Sequence, residues 1–221
     1  MHVKLVSYSQ PTSDYTSMGI TDAQELIAFC ARVSNPSNQF NNDTSSKLIR
    51  YLVRHKHWSP LEMVSACLEI TTTRDIARQI LRHRSFSFQE FSQRYADPTK
   101  DLNFVRREAR LQDTKNRQNS IKTEDTELQK KWDIWQNNVI TEARMAYNWA
   151  IENGIAKEQA RVVLPEGLIE SRLYMNGTLR SWVHFIELRS ANGTQQEHQE
   201  VARACAEVIS NVFPIIDTIN S

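Results

Sequence analysis

The chain has 221 residues, 27 Lys and Arg against 26 Asp and Glu, a formal net charge of +1 and three cysteines. That length is enough to bury a core without staples, and the near-zero charge argues against a protein whose main business is coating nucleic acid, so any anion site must be local. No apolar run approaches the roughly 20 residues of a membrane span, the N-terminus lacks a signal-peptide pattern, and Cys30, Cys67 and Cys205 lie far apart among apolar residues without metal-ligand spacing; a cytoplasmic protein with buried thiols and no metal is expected.

Val3 to Tyr8 is expected to form a strand, and Thr21-Asp22-Ala23-Gln24 a capping box that opens a helix with Leu26, Ile27, Cys30 and Val33 on its apolar face. Ser34 falls in the turn that ends it. A second helix spans about Ser46 to His55, with Leu48, Ile49, Leu52 and Val53 inward, and stops at His55-Lys56-His57-Trp58-Ser59-Pro60. Leu61 to Thr73 reads as a strand, since Val64, Ala66, Leu68 and Ile70 alternate with Ser65 and Glu69. Thr72 or Thr73 is placed to cap the next helix.

That helix carries the densest chemistry of the chain. Ile76, Ala77, Ile80 and Leu81 form its apolar face, Arg74, Arg78 and Arg82 stack at i, i+4 and i+8, and Gln79 and His83 pair beside them. Arg84 would fall on the apolar face, so either the helix stops near His83 or Arg84 is buried against a charged partner. Only Asp75 and Glu90 are nearby to compensate, which leaves an anion as the natural relief, and guanidinium forks suit phosphate oxygens. A Ser/Phe-rich turn, Ser85 to Phe88, follows.

Residues 97–124 are polar and read as a surface insertion, partly helical at best, in which Arg106, Arg107 and Arg110 form a solvated charge run. A long helix from about Thr126 to Asn153 bears Trp132, Trp135, Val139, Ala143, Ala146, Tyr147 and Ala150, a core or subunit-interface stripe, and stops at Gly154. Glu158 to Val163 is a short helix and Arg172 to Met175 a strand. Thr178 begins a helix with Leu179, Trp182, Val183, Phe185, Ile186 and Leu188, and Thr194 to Glu197 forms a second capping box. The five glycines are too dispersed for a phosphate-cradling loop, so phosphates would have to be held by side chains and helix N-termini. The expected fold is α+β, a single domain over 1–221: a small sheet from the segments near Val3, Met63 and Leu173, flanked by helices, with a long helical extension.

Arg82-His83-Arg84, seven further residues, Ser92 and then Arg94-Tyr95 resemble the signature of flavin-dependent thymidylate synthases. Ala31-Arg32-Val33-Ser34, His57-Trp58-Ser59-Pro60-Leu61-Glu62, Ala160-Arg161 with Val163-Leu164-Pro165, and the run Arg180 to Arg189 resemble further patterns of that family; Thr178 stands where many members have Asn. The resemblance implies a homotetramer with shared active sites that methylates dUMP using FAD, NADPH and methylenetetrahydrofolate. It implies Gln79, Arg82, Glu90, Ser92, Arg94, Arg161 and Arg189 as dUMP ligands, with Arg189 and Ser92 the catalytic candidates and Arg189 polarising the uracil. For FAD it implies Ser34, His57, Ser59, Glu62, Arg82, His83, Arg84, Gln89, Glu90, Arg180 and His184. A second class fits the stretch 74–95, a non-enzymatic RNA-binding module with Phe86, Phe88 and Tyr95 stacking on bases.

Overall fold

Strand β1 (His2–Tyr8) leads through a one-turn helix α1 (Ser13–Ser17) into α2 (Ala23–Ala31) and α3 (Ser45–Arg54); the computed structural model describes residues 1–214, and residues 215–221 of the expected unit lie outside them. Asp22, not Thr21, caps α2: its carboxylate accepts the Glu25 N–H, while Glu25 accepts from the Thr21 backbone and hydroxyl. The expected box is thus displaced by one residue, because the ionised Asp22 is the stronger acceptor. α2 buries Ala23, Ile27 and Ala28, whereas Val33 lies beyond the helix end and is exposed. α3 buries Ile49 and Leu52.

The strand expected from Leu61 starts later, because Pro60 favours a 3₁₀ turn over Ser59–Glu62. β2 runs Ser65–Thr73 with Ala66, Leu68 and Ile70 buried and Cys67 and Glu69 half-exposed on the other face. It passes directly into α4 (Arg74–Ile80), which ends before Arg82, so only Arg74 and Arg78 of the arginine row stay on the helix and Arg84 is exposed in the turn. Thr73 takes the N-cap position, but its hydroxyl donates to Asp75 Oδ1 at 2.6 Å instead of capping. Ser87–Glu90 then forms β3, a fourth strand inside what reads locally as a Ser/Phe turn.

Residues 97–124 contain α5 (Pro98–Asp101) and a hairpin of β4 (Arg110–Gln112) and β5 (Ser120–Lys122). All three arginines of the expected charge run are ion-paired: Arg107 donates to both Asp75 oxygens and to Thr73, Arg110 to Glu197, and the more exposed Arg106 to Asp133 at 2.9 Å. Helix α6 (Thr126–Glu152), capped by Asp125, buries Gln136, Ile140, Ala143, Tyr147 and Ala150 but exposes Trp132, Trp135, Val139 and Trp149. The aromatic stripe is therefore divided, Tyr147 inward and the tryptophans outward. Helix α7 (Lys157–Ala160) continues as a 3₁₀ turn over Arg161–Val163, followed by β6 (Glu170–Thr178), α8 (Leu179–Ser190) and α9 (Gln196–Ser210).

The main sheet has the order β1-β2-β6-β3, antiparallel throughout. Leu68 and Phe88 both lie opposite Met175, and this buried side forms one core with Trp182, Phe185, Ile186, Cys205 and Ile209 of α8 and α9. The Trp182 indole N–H donates to the Ala66 carbonyl at 3.0 Å, satisfying its one polar atom inside the core. A Cβ at Gly177 would strike the Phe86 ring, so β6 passes that ring only with glycine there. Leu188 faces outward at 56% exposure. At the start of α9 the N-cap is Gln195 with no side-chain cap, because Glu197 is drawn to Arg110 and Arg107. Among the described residues no helix is long and apolar enough to cross a membrane.

Candidate functional site

Two polar clusters meet on α4. On one side, Arg74, only 7% exposed, lies 3.7 Å from Glu90 and 3.5 Å from Glu166, and Arg78 lies 3.5 Å and 3.6 Å from the same acids. Ser171, brought alongside by the β3–β6 pairing, donates to Glu90 Oε1 at 2.8 Å. The Arg74 ion pairs are too long to be hydrogen bonds, and Arg74 Nη1 and Gln93 Nε2 are buried donors without a partner. Both residues line a cavity of about 380 Å³ together with Arg78, Arg161 and Glu166. A few buried N–H donors converging with cations on one cavity suit the oxygens of an anionic ligand.

Arg161 lies at that cavity with its Nε directed to the Glu158 carbonyl at 3.3 Å, and Arg94 pairs with Glu158 at 3.4 Å. Ser92 Oγ accepts from the Arg94 backbone N–H at 3.4 Å and Lys157 donates to the Tyr95 carbonyl, tying the Ser92–Tyr95 turn to α7.

On the other side of α4, Arg189 Nε donates to His83 Nε2 at 2.8 Å, and Gln79 links to His198 Nδ1 at 3.2 Å and to Gln195 at 2.8 Å. Burial, reinforced by the charge of Arg189, lowers His83 to about 4, and burial with Arg189 and His83 lowers His198 to about 3. Both imidazoles are neutral at pH 7, so His83 presents a lone pair to the guanidinium. Burial alone would raise Glu197, but its hydrogen bonds and the charges of Arg107 and Arg110 outweigh that and hold it below the usual carboxylate range. Burial would raise Asp75 too, and the bonds from Arg107 and Thr73 overcome it.

The depressed histidines set a pH dependence. An unfolded chain protonates both imidazoles as pH falls below about 6.5 while the folded chain does not, so the unfolded state binds more protons and stability falls. Between about pH 6 and 4.5 each histidine should remove up to about 1.4 kcal/mol per pH unit. The depressed acids add their loss only below about pH 4.5. Denaturant midpoints through this window test the sign, and His198→Leu should make the slope shallower; a flat profile in the unsubstituted protein would show that the imidazoles protonate freely when folded.

Of the remaining flavin candidates, Glu62, Arg180 and His184 come together in a third region, where the Ser59–Glu62 turn meets α8. Glu62 accepts from Arg180, and Trp58 meets His184 edge-on at 4.6 Å. Ser34 and Tyr51 line a cavity of about 490 Å³, and Tyr51 lies edge-on to His57 at 6.0 Å. Thr178 accepts the Ser181 N–H and serves as the cap of α8. Ser59, Gln89, Arg82 and Arg84 are exposed, and among the described residues neither arginine side chain has a hydrogen-bond or ion-pair partner. Exposed cations without a partner, together with serine, histidine and arginine donors, are the chemistry a dinucleotide's phosphates need, so the donor set fits FAD.

Gln93, Glu166, Ser171 and His198 were not singled out by the sequence-based reading, which took Gln195 and Glu197 only as part of a capping box. Most reach their partners only through tertiary contact; His198 had a local signal, since it precedes Val201, Ala202, Cys205 and Ile209 on the buried face of α9. Phe86 is buried against Trp182 at 4.8 Å and Phe88 packs on the same core, so neither can stack on RNA bases.

The antiparallel sheet flanked by helices defines an α+β protein, with a cation-lined cavity beside α4 and a neutral histidine on an arginine. The chain belongs to the thymidylate synthase complementing protein family, whose model matches residues 13–215. It is 49% identical over 216 residues, 98% of this chain and 97% of the relative, to a protein of Paramecium bursaria Chlorella virus 1 named "Probable flavin-dependent thymidylate synthase". It is 44% identical over 216 residues, again 98% and 97% of the two chains, to the flavin-dependent thymidylate synthase of Synechocystis sp.. The crystal structure of the UMP/dUMP methylase PolB from Streptomyces cacaoi bound with 5-Br dUMP has the same fold, with a TM-score of 0.81 over 99% of this chain and 93% of that one at 24% identity.

Proposed function

We propose that this protein is a cytoplasmic flavin-dependent thymidylate synthase that converts dUMP to dTMP, with methylenetetrahydrofolate as one-carbon donor and NADPH as the source of reducing equivalents. The observation that carries the nucleotide reading is the cavity where Arg161 and Arg78 meet the buried, unpartnered donors Arg74 Nη1 and Gln93 Nε2. Family membership supports the chemistry, and the burial of Phe86 weakens the RNA-binding alternative, leaving Tyr95 as its one exposed stacking ring.

In this reading Arg161, Arg94 and Ser92 take the phosphate, and Gln79, Arg82 and Glu90 orient the nucleotide. Arg189, with one nitrogen spent on His83, turns its remaining N–H groups to the uracil and stabilises charge that develops there. Neutral His83 orients Arg189 without competing for its charge. Ser34, His57, Ser59, Glu62, Arg82, His83, Arg84, Gln89, Glu90, Arg180 and His184 would hold FAD, which when reduced would supply the hydride. Thiolate attack on the uracil has no support, because burial raises Cys30, Cys67 and Cys205 alike. The outward face of α6, with Trp132, Trp135, Val139 and Trp149 exposed, supports a homotetramer in which neighbouring chains complete the site.

Protein loaded with FAD and given dUMP, NADPH and methylenetetrahydrofolate is expected to form dTMP with tetrahydrofolate as the folate product. A preparation that cannot be loaded with FAD, or that releases stoichiometric dihydrofolate, would overturn the proposal.

A further inference from the structure

Gln195 occupies the N-cap of α9, a position where glutamine is a poor choice, and its side chain makes no cap. The side chain is engaged elsewhere. Its Nε2 donates to Glu197 Oε2 at 2.9 Å, and its Oε1 accepts from Gln79 Nε2 at 2.8 Å. Gln79 Oε1 then lies 3.2 Å from His198 Nδ1. These contacts form one directed chain with a single defined end. Glu197 is ionised, held so by its hydrogen bonds and by the two arginines facing it, and can only accept; Gln195 must therefore turn its NH₂ toward it and its carbonyl toward Gln79. Gln79 must in turn offer its NH₂ to Gln195 and its carbonyl to His198, which makes Nδ1 the protonated nitrogen of His198. His198 Nε2 is left as an acceptor, fully buried and without a hydrogen-bond partner among the described residues. Without Glu197 as an anchor, both amides could flip at little cost.

Gln79 is only half-buried, and each of its amide atoms has capacity left: a second N–H on the nitrogen and a second lone pair on the oxygen. We propose that Gln195 is a positioning residue for nucleotide binding: anchored by Glu197, it locks the Gln79 amide in one orientation, so that Gln79 meets the nucleotide with its donor and its acceptor in a fixed order. This rests on the reading of Gln79 as a dUMP ligand. Neither Gln195 nor Glu197 touches the nucleotide in this scheme. Their effect reaches it through Gln79, because a neutral amide free to flip presents the wrong group part of the time, and a site built for hydrogen bonding discriminates strongly against a mismatched partner.

Action through a second residue is what a double-mutant cycle measures. FAD-loaded protein carrying Gln195→Met, Gln79→Leu or both is titrated with dUMP by calorimetry. Gln195→Met should raise the dUMP dissociation constant about two- to threefold, the cost of an amide correctly oriented only part of the time, and Gln79→Leu about tenfold or more, while the double variant should match Gln79→Leu within the error of the titration. Turnover of Gln195→Met at saturating dUMP should stay within about threefold of the original, since the bound nucleotide selects the correct amide orientation. Losses that multiply in the double variant, or a fall in kcat with dUMP affinity unchanged, would overturn the proposal and make Gln195 a scaffold of α9. If Gln195→Met does not fold, Gln195→Asn, which keeps the amide but is one methylene too short to bridge, replaces it with the same expected cycle. Failure of the unsubstituted FAD-loaded protein to bind dUMP would sink the nucleotide reading and this inference with it, whereas dUMP binding with multiplicative losses would sink only the inference.

Discussion

Replacing Arg189 with alanine should lower kcat/KM for dUMP by about 10²–10³-fold, the cost of removing one preorganised group aimed at developing charge. Arg189 sits near the end of α8 with its Nε committed to His83 at 2.8 Å and has no acidic partner among the described residues. A guanidinium oriented by a neutral base keeps its full charge for a ligand, whereas one tied to a carboxylate would not. The same variant has a spectroscopic signature. Burial is the larger cause of the depressed His83 value and Arg189 the second, so removing the arginine should move His83 part of the way back toward its ordinary range. Arg189→Lys, which retains charge but loses the planar fork, should fall between the two. Steady-state kinetics on FAD-loaded protein, with a proton-NMR titration of the histidines, would measure both effects; turnover within threefold of the original in Arg189→Ala would show that another group polarises the uracil.

Glu90→Leu should lower the unfolding free energy by about 3–5 kcal/mol, the usual penalty for stripping one partner from a buried ion pair. Glu90 compensates Arg74 and Arg78 and accepts from Ser171, with its own side chain 15% exposed and that of Arg74 8% exposed. Burial already pulls Arg74 below its normal value, with Glu90 the largest opposing influence, so the guanidinium becomes more costly to bury once Glu90 is gone. Glu166 cannot fully substitute, because its side chain is 56% exposed and its attraction is screened by solvent. Adding Arg74→Met to Glu90→Leu should recover much of the loss, since an apolar pair of similar volume carries no uncompensated charge. Denaturant unfolding of the single and double variants decides it. A single-variant loss under about 1 kcal/mol, within the range of surface ion pairs, would show that water or Glu166 already compensates Arg74.

Local pattern was enough for the elements whose cause is local. Alternation through β2, the 3.6-residue spacing through α3, α4, α8 and α9, and Gly154 closing α6 through a positive φ all follow from side-chain period and backbone sterics within a few residues. The chemistry of the arginine-rich stretch pointed only to an anion, and its resemblance to a known family pointed to a nucleotide and a flavin before any contact was known. Competition between distant groups settled the rest. β3 became a strand because β6 offers it backbone partners 80 or so residues away, and the first acidic group after α4 became the counter-ion of Arg74 because the same pairing carries Glu90 to Ser171. Arg107 and Arg110 look like solvated charges in a polar stretch until Asp75 and Glu197 are brought against them. The second capping box is displaced in the same way: Gln195, not Thr194, takes the N-cap, and the Glu197 carboxylate is brought against Arg110 and Arg107. Sequence spacing carries the periodicity of each element, but the partner of a charged or amide side chain is whichever group the fold delivers at hydrogen-bond distance, and for Gln79, Gln195 and His198 those groups lie more than a hundred residues apart in the chain.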